Sequence, residues 1–140
     1  MEAVRLENEE ATCVYAEEVA QYLEPGNVIS LSGELGAGKS VFARALMRAL
    51  GVTDKALPSP TFSIIQEYEG KVCKVAHMDW YRVDSVDELE MIGVREYLVA
   101  PWIAIIEWPE KALSLLPKES IRLTLMALPG EPNVRLISAS

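Results

Sequence analysis

Eight consecutive residues constrain this 140-residue chain more than any others. Gly33-Glu34-Leu35-Gly36-Ala37-Gly38-Lys39-Ser40 fits the pattern G-x-x-x-x-G-K-[ST]. Glycines reach backbone torsions closed to other residues and let N–H groups approach anionic oxygens closely. Such N–H groups form a nest, to which a following helix N-terminus adds partial positive charge. Lys39 supplies a mobile cation for β- and γ-phosphates, and the Ser40 hydroxyl is a hard oxygen ligand for Mg²⁺. ATP with Mg²⁺ is therefore the expected occupant of residues 33–40. Average residue usage makes a chance match on the order of one in two hundred for a chain this long. A turn that merely capped a helix would leave Lys39-Ser40 without a use.

The flanking sequence gives the loop the strand-before, helix-after setting that this motif needs. Val28, Ile29 and Leu31 make residues 27–32 a buried strand. Phe42, Ala45, Leu46 and Ala49 share one face of a helix over 39–50, with Gly51 placed for a left-handed cap. Upstream, residues 3–6 suit a short edge strand. Asn8 offers an N-cap, and Glu9 and Glu10 suit the first turn of a helix. Thr12, Ala16, Val19, Ala20 and Leu23 extend that helix over 9–23, to an end at Pro25-Gly26.

Downstream, residues 61–68 and 71–78 read as a hairpin joined at Glu69-Gly70. Ser85 and Glu88 have capping-box spacing, which predicts a short helix at 86–91. Residues 102–108 are a near-continuous apolar run ending beside an acid, as in a central strand. Pro109 fits the first turn of a further helix ending near Leu116. Residues 121–128 and 134–138 form a terminal hairpin around Pro129-Gly130-Glu131-Pro132. The predicted fold is one three-layer α/β domain over 1–140. Its mixed sheet has a parallel core around the loop's strand and antiparallel hairpins at the edges.

Binding phosphate is not turnover, which also needs a group to position water and an acid near the metal. Asp79 follows the strand-like run ending at Met78, and Glu107 follows the one ending at Ile106. Ligands gather at the carboxyl ends of parallel strands. Glu107 is assigned to the Mg²⁺ side, directly or through water. Asp79 is assigned to orienting or deprotonating the attacking water, or to sharing the metal shell. The two roles are exchangeable at this stage, and either acid at a strand end can simply face solvent. Thr61, after Ser59-Pro60, is a hydroxyl that either senses a γ-phosphate or caps a turn. Trp80, Tyr81 and Trp108 flank the acids and can stack on a base, meet a partner or pack in the core. Arg82 reads as a salt-bridge residue, His77 as a packed or hydrogen-bonded one, and Arg44 and Arg48 as a solvated face.

Composition narrows the setting. The net charge of −8 lacks the basic excess that displaces counterions from nucleic acid, so strong direct nucleic-acid binding is not expected. The first residues carry no signal-peptide pattern, and the longest apolar stretch is interrupted by Pro101. A cytoplasmic location without a membrane span is expected. Cys13 and Cys73 read as free, buried thiols, and His77, the only histidine, allows no zinc cluster.

Five ordered motifs resemble a known family. They are residues 33–40, Ser59-Pro60-Thr61, His77-Met78-Asp79-Trp80-Tyr81-Arg82, Asp87-Glu88-Leu89-Glu90 with Gly93, and Ile106-Glu107-Trp108-Pro109. From about Glu9 to Pro117 the chain is similar to the TsaE (YjeE) family of tRNA threonylcarbamoyladenosine biosynthesis. The resemblance implies an ATPase that acts on the TsaB–TsaD heterodimer, which carries the transfer chemistry, and that is needed for its repeated turnover. It implies phosphate and metal roles for Lys39 and Ser40, a magnesium-linked Glu107, a catalytic-site Asp79 and a functional Thr61. Two positions depart from the pattern: Ser40 stands where the family often has threonine, and Trp80 where it often has a smaller apolar residue.

Rival functions remain open at this stage. A small-molecule P-loop kinase needs an acceptor pocket and a basic lid, and no arginine-rich lid run is present. A guanine-nucleotide switch lacks its N-K-x-D and D-x-x-G signatures. A nucleotide-gated interaction module differs from an ATPase only in turnover. No convincing arginine finger is legible in the sequence, which predicts slow hydrolysis by the chain alone.

Overall fold

The computed structural model describes residues 3–60 and 63–140. Among them, seven strands form one sheet in the order β1-β7-β6-β2-β5-β4-β3. The strands are β1 (Val4–Leu6), β2 (Val28–Ser32), β3 (Ile65–Glu69), β4 (Lys74–Asp79), β5 (Trp102–Glu107), β6 (Ile121–Leu128) and β7 (Glu131–Ala139). Strands β6, β2, β5 and β4 run parallel, while β3, β7 and β1 add antiparallel pairings outside them. The mixed sheet with a parallel core is therefore as expected. Each hairpin is split in role, with one strand in the parallel core and one flanking it. Pattern reading placed both hairpins wholly at the edges because it has no access to which strand pairs with β2.

Alternation along β5 sorts the two faces. Ile103 and Ile105 join Ile29, Leu31, Phe42, Leu46 and Leu125 on the side of helices α1 (Glu9–Ala20) and α2 (Lys39–Ala49). Ala104 and Ile106 join Met78, Trp80, Leu89 and Leu115 on the opposite side. There α3 (Val86–Met91) and two 3₁₀ segments, Val94–Leu98 and Pro109–Leu115, close the core. Successive strand side chains point to opposite faces, so Glu107 shares the α2 side with Ile103 and Ile105.

The Asn8 side chain accepts from Ala11 N at 2.8 Å and caps α1 as expected. The helix ends at Ala20 rather than Leu23. Tyr22 and Leu23 instead bond three residues back, because the residue before Pro25 is disfavoured in the helical region. Ser85 makes no side-chain cap bond, and Glu88 reaches back to Asp84 N at 3.0 Å, so only half of the expected capping box forms, shifted by one residue. The predicted helix at Pro109 is a 3₁₀ segment broken at Ala112, whose φ of −153° is extended. β3 begins at Ile65 because Ile64 has φ 63° and interrupts extension; the predicted start at Thr61 lies outside the described residues. Cys73 is buried, whereas Cys13 is exposed on α1, contrary to expectation. Arg48 donates to Val52 O and Lys55 O at 3.1 and 3.3 Å, tying down the chain after α2 rather than only facing solvent.

Candidate functional site

The carboxyl ends of β2, β5 and β4 lie side by side. Leu31 pairs with Glu107, and Glu107 with Asp79. Residues 33–40 leave β2 at this level and enter α2, so loop, lysine, hydroxyl and both acids meet at one end of the sheet. They line a single cleft of about 290 Å³ with Gly36, Gly38, Lys39, Ser40, Asp79, Glu107 and Trp108 on its walls.

The glycines are required by geometry. Gly33 has φ 145°, and a Cβ there would stand 2.5 Å from Leu125 O, inside van der Waals contact. Gly38 caps α2 with φ 99° in the left-handed region, where β-carbon-bearing residues are strained. Ala37 donates its N–H to Glu34 O at 3.0 Å, tightening the turn, and the Ala37 side chain is buried against it. Leu35 sits at the loop tip, 75 % exposed.

Lys39 is buried, and its ammonium donates to the loop's own carbonyls, Gly33 O and, at 3.1 Å, Glu34 O. Burial pulls its pKa below the ordinary lysine value, and the charges of Glu107, Glu110, Asp79 and Glu34 act in the opposite sense. Its ammonium also lies 4.0 Å from the centroid of the Trp108 ring. Trp108 adopts φ 59°, a conformation that costs a non-glycine residue about 1–2 kcal/mol. Packing against Tyr81 at 4.8 Å between ring centroids helps to hold it there. Strain of this kind gathers at functional sites.

Glu107 is 2 % exposed and divides its two oxygens. Oε1 accepts from Ser40 Oγ at 3.1 Å, and Oε2 accepts from His77 Nε2 at 2.7 Å. His77 is fully buried two residues before Asp79, on the same face of β4. Ser59 Oγ donates to Ser40 Oγ at 3.2 Å, bringing the Ser-Pro-Thr loop onto the phosphate-loop hydroxyl. Asp79 is partly buried, and its Oδ1 accepts from Tyr81 N at 2.9 Å. Burial lifts its pKa above the ordinary carboxylate value, opposed by that backbone bond and aided by the Glu107 charge. A hydroxyl and a carboxylate oxygen 3.1 Å apart at the mouth of a phosphate loop suit a hard, oxygen-seeking divalent cation.

The family described as threonylcarbamoyl adenosine biosynthesis protein TsaE matches residues 6–133. The chain belongs to the TsaE family. The tRNA threonylcarbamoyladenosine biosynthesis protein TsaE of Bacillus subtilis is 37 % identical over 121 residues, covering 86 % of this chain and 75 % of its own. The TsaE of Aquifex aeolicus is 44 % identical over 112 residues, 79 % of each chain. The crystal structure of Bacillus subtilis YdiB superimposes with a TM-score of 0.80 at 30 % identity, covering 99 % of this chain and 83 % of that one.

Of the TsaE residues expected from sequence, the structure brings together 33–40, Asp79 and Glu107. Thr61 lies outside the described residues. His77 is packed and hydrogen-bonded as expected, but sequence reading did not foresee Glu107 as its partner, nor the contacts of Ser59 and Trp108. For His77 the signal was available: two residues before Asp79 on a strand means the same face. Trp108 gave no such signal, since its place beside Lys39 follows from a left-handed turn after β5. Among the described residues, no helix is long and apolar enough to cross a membrane.

Proposed function

We propose that this TsaE-family chain binds ATP with Mg²⁺ at residues 33–40 and hydrolyses it, acting on the TsaB–TsaD complex in tRNA threonylcarbamoyladenosine formation. The observation that carries the reading is the convergence of Lys39, Ser40, Glu107 and Asp79 in one cleft at the strand ends. The backbone nest and α2 N-terminus receive phosphate oxygens. Lys39 exchanges the carbonyls of Gly33 and Glu34 for the β- and γ-phosphates. Ser40 and Glu107 supply metal-seeking oxygens, with the Glu107 carboxylate fixed from behind by His77. Magnesium, when bound, spreads the charge that builds on the phosphate oxygens.

Asp79 has one oxygen engaged by Tyr81 N and the other for an attacking water. Water oxygen bonds to the γ-phosphorus as the bridging bond to ADP breaks, and Asp79 accepts the water proton. Its raised pKa suits proton acceptance. Thr61 is proposed to meet the γ-phosphate from the loop that Ser59 anchors.

A partner-supplied arginine raises such rates by about a thousandfold or more, so hydrolysis is expected to be slow alone and faster with TsaB–TsaD. Phosphate release, measured with and without that complex, tests this; equal rates count against it. Calorimetric ATP binding tests the cradle: Lys39→Ala is expected to lose about tenfold to a hundredfold in affinity, and retained tight binding removes the argument.

A further inference from the structure

We propose that Met91 and Ile92, at the end of α3, are the apolar centre of a protein-docking surface whose partner offers an apolar socket rimmed with lysine and arginine. That socket is placed on the TsaB–TsaD complex, so the proposal rests on the partner reading above. The segment from Asp87 to Gly93 stood out in the sequence, yet none of it lines the phosphate cleft. Its use lies elsewhere.

Met91 is 87 % exposed, more than any other large apolar side chain among the described residues, and Ile92 beside it is 44 % exposed. Single exposed apolar side chains are ordinary. This pair differs because the backbone beneath it is fixed from both sides. Leu89 and Val94, both fully buried, anchor the flanking turns in the core. Glu88 accepts from Asp84 N at 3.0 Å at the start of the helix. After the pair, Gly93 turns the chain with φ 76° and donates its N–H to Glu90 O at 3.1 Å. Arg95 then holds both oxygens of Glu90, with Nε 2.9 and 3.0 Å from them and Nη2 2.7 Å from Oε1. An exposed bridge adds little stability, but its two-oxygen geometry fixes direction. Met91 and Ile92 are thus presented already ordered, and a partner that covers them is spared much of the ordering entropy.

Charge selects the occupant. Between Arg82 and Glu96, five exposed acids (Asp84, Asp87, Glu88, Glu90 and Glu96) stand against two arginines, and Arg95 is taken by Glu90. An apolar centre inside a charged rim is the anatomy of a protein interface. A negative rim repels nucleic-acid phosphates, anionic lipid and the same rim on a second copy of the chain, and it attracts a basic surface. The patch is also joined to the site by a short path. Tyr81 N bonds Asp79 Oδ1, Val83 N bonds Trp80 O at 3.0 Å, and Trp80, Val83 and Leu89 pack in one buried cluster. A partner seated on Met91 and Ile92 is therefore seated on the segment that carries Asp79.

The test is calorimetric binding of the full chain to purified TsaB–TsaD, with a non-hydrolysable ATP analogue and Mg²⁺ present and thermal melts confirming the fold of each variant. The double variant Met91→Ser, Ile92→Ser removes the apolar centre and is expected to weaken binding about tenfold or more. Asp87→Lys reverses one rim charge and is expected to weaken binding and make it less sensitive to added salt. Both variants should keep the hydrolysis rate of the chain alone and lose the rise produced by the complex. Unchanged affinity in the double variant, where the unmodified chain binds, overturns this proposal alone. An unmodified chain that does not bind the complex overturns the partner reading as well. Self-association of the unmodified chain in sedimentation velocity, abolished in the double variant, overturns the proposal in favour of a second copy. Co-sedimentation with phosphatidylcholine vesicles, lost in the same variant, overturns it in favour of a lipid surface.

Discussion

Glu107 and His77 form a buried pair, with Oε2 and Nε2 2.7 Å apart and neither side chain exposed beyond 3 %. The opposite oxygen of the same carboxylate faces Ser40 Oγ. One bond therefore sets the rotamer from which the other is made, the arrangement expected of an outer partner if Glu107 takes its proposed place beside a metal. The pair joins β4 to β5 at the level of the phosphate loop, so the sheet and the site share one hydrogen bond.

Removing Glu107 is expected to affect both. Glu107→Ala leaves buried His77 Nε2 without its acceptor, a loss of about 1–3 kcal/mol in folding stability measurable by denaturant titration. It also flattens the Mg²⁺ dependence of ATP hydrolysis. A metal titration indistinguishable from that of the unmodified chain would show that Glu107 is not on the metal side.

His77 is expected to act through Glu107 and not on the nucleotide. His77→Leu removes the donor that holds Oε2, and His77→Gln retains an N–H for it. Mg²⁺-dependent nucleotide affinity, read by calorimetry, is expected to fall about tenfold or more in the leucine variant. The glutamine variant should recover part of it. Equal affinities in the two variants, at equal thermal stability, would assign His77 to packing alone.

Gly33 tolerates no side chain. Gly33→Ala directs a Cβ to within 2.5 Å of Leu125 O at φ 145°, where neither backbone segment can give way without disturbing β6 or the loop. The expected loss is about 1–3 kcal/mol of stability together with weakened ATP binding. Gly36 also has positive φ but meets nothing within 4 Å of an added Cβ, so Gly36→Ala should suffer only the backbone term. Denaturation midpoints for the two variants compare the effects side by side.

Asp79 carries a cost that its proposed role explains. Its folded-state pKa lies above the ordinary carboxylate value, so the ionised form is less favourable folded than unfolded. That penalty is full above the folded pKa and vanishes below the ordinary value, where both states are protonated. Asp79→Asn keeps an oxygen for Tyr81 N, so Tm should rise at neutral pH, with the gain shrinking as pH falls through the carboxylate range. Hydrolysis should drop sharply in the same variant. A lower Tm at pH 7, or unchanged turnover, would contradict this assignment.

The phosphate loop, the strand before it and the helix after it were legible because each depends on residues close in sequence. The glycine torsions, the 3.6-residue spacing of Phe42 and Leu46, and the Asn8 cap are local physics. Asp79 and Glu107 were legible as acids at strand ends, a position that carries chemistry whenever the strands are parallel. Less was legible at element ends, where Pro25 shortened α1 and Ile64 delayed β3.

Tertiary structure alone decided which strands are neighbours. Nothing near residues 121–128 announces that β6 pairs in parallel with β2, yet that pairing sets the tight approach of Gly33 to Leu125. The following strand, β7, places Arg135 over the loop. The division of Glu107 between Ser40 and His77 likewise depends on register across β2, β5 and β4. Local sequence encodes torsion and periodicity, whereas register is set by long-range burial of whole faces, so residues 67 and 30 positions from Glu107 become its hydrogen-bond partners only after the sheet has closed.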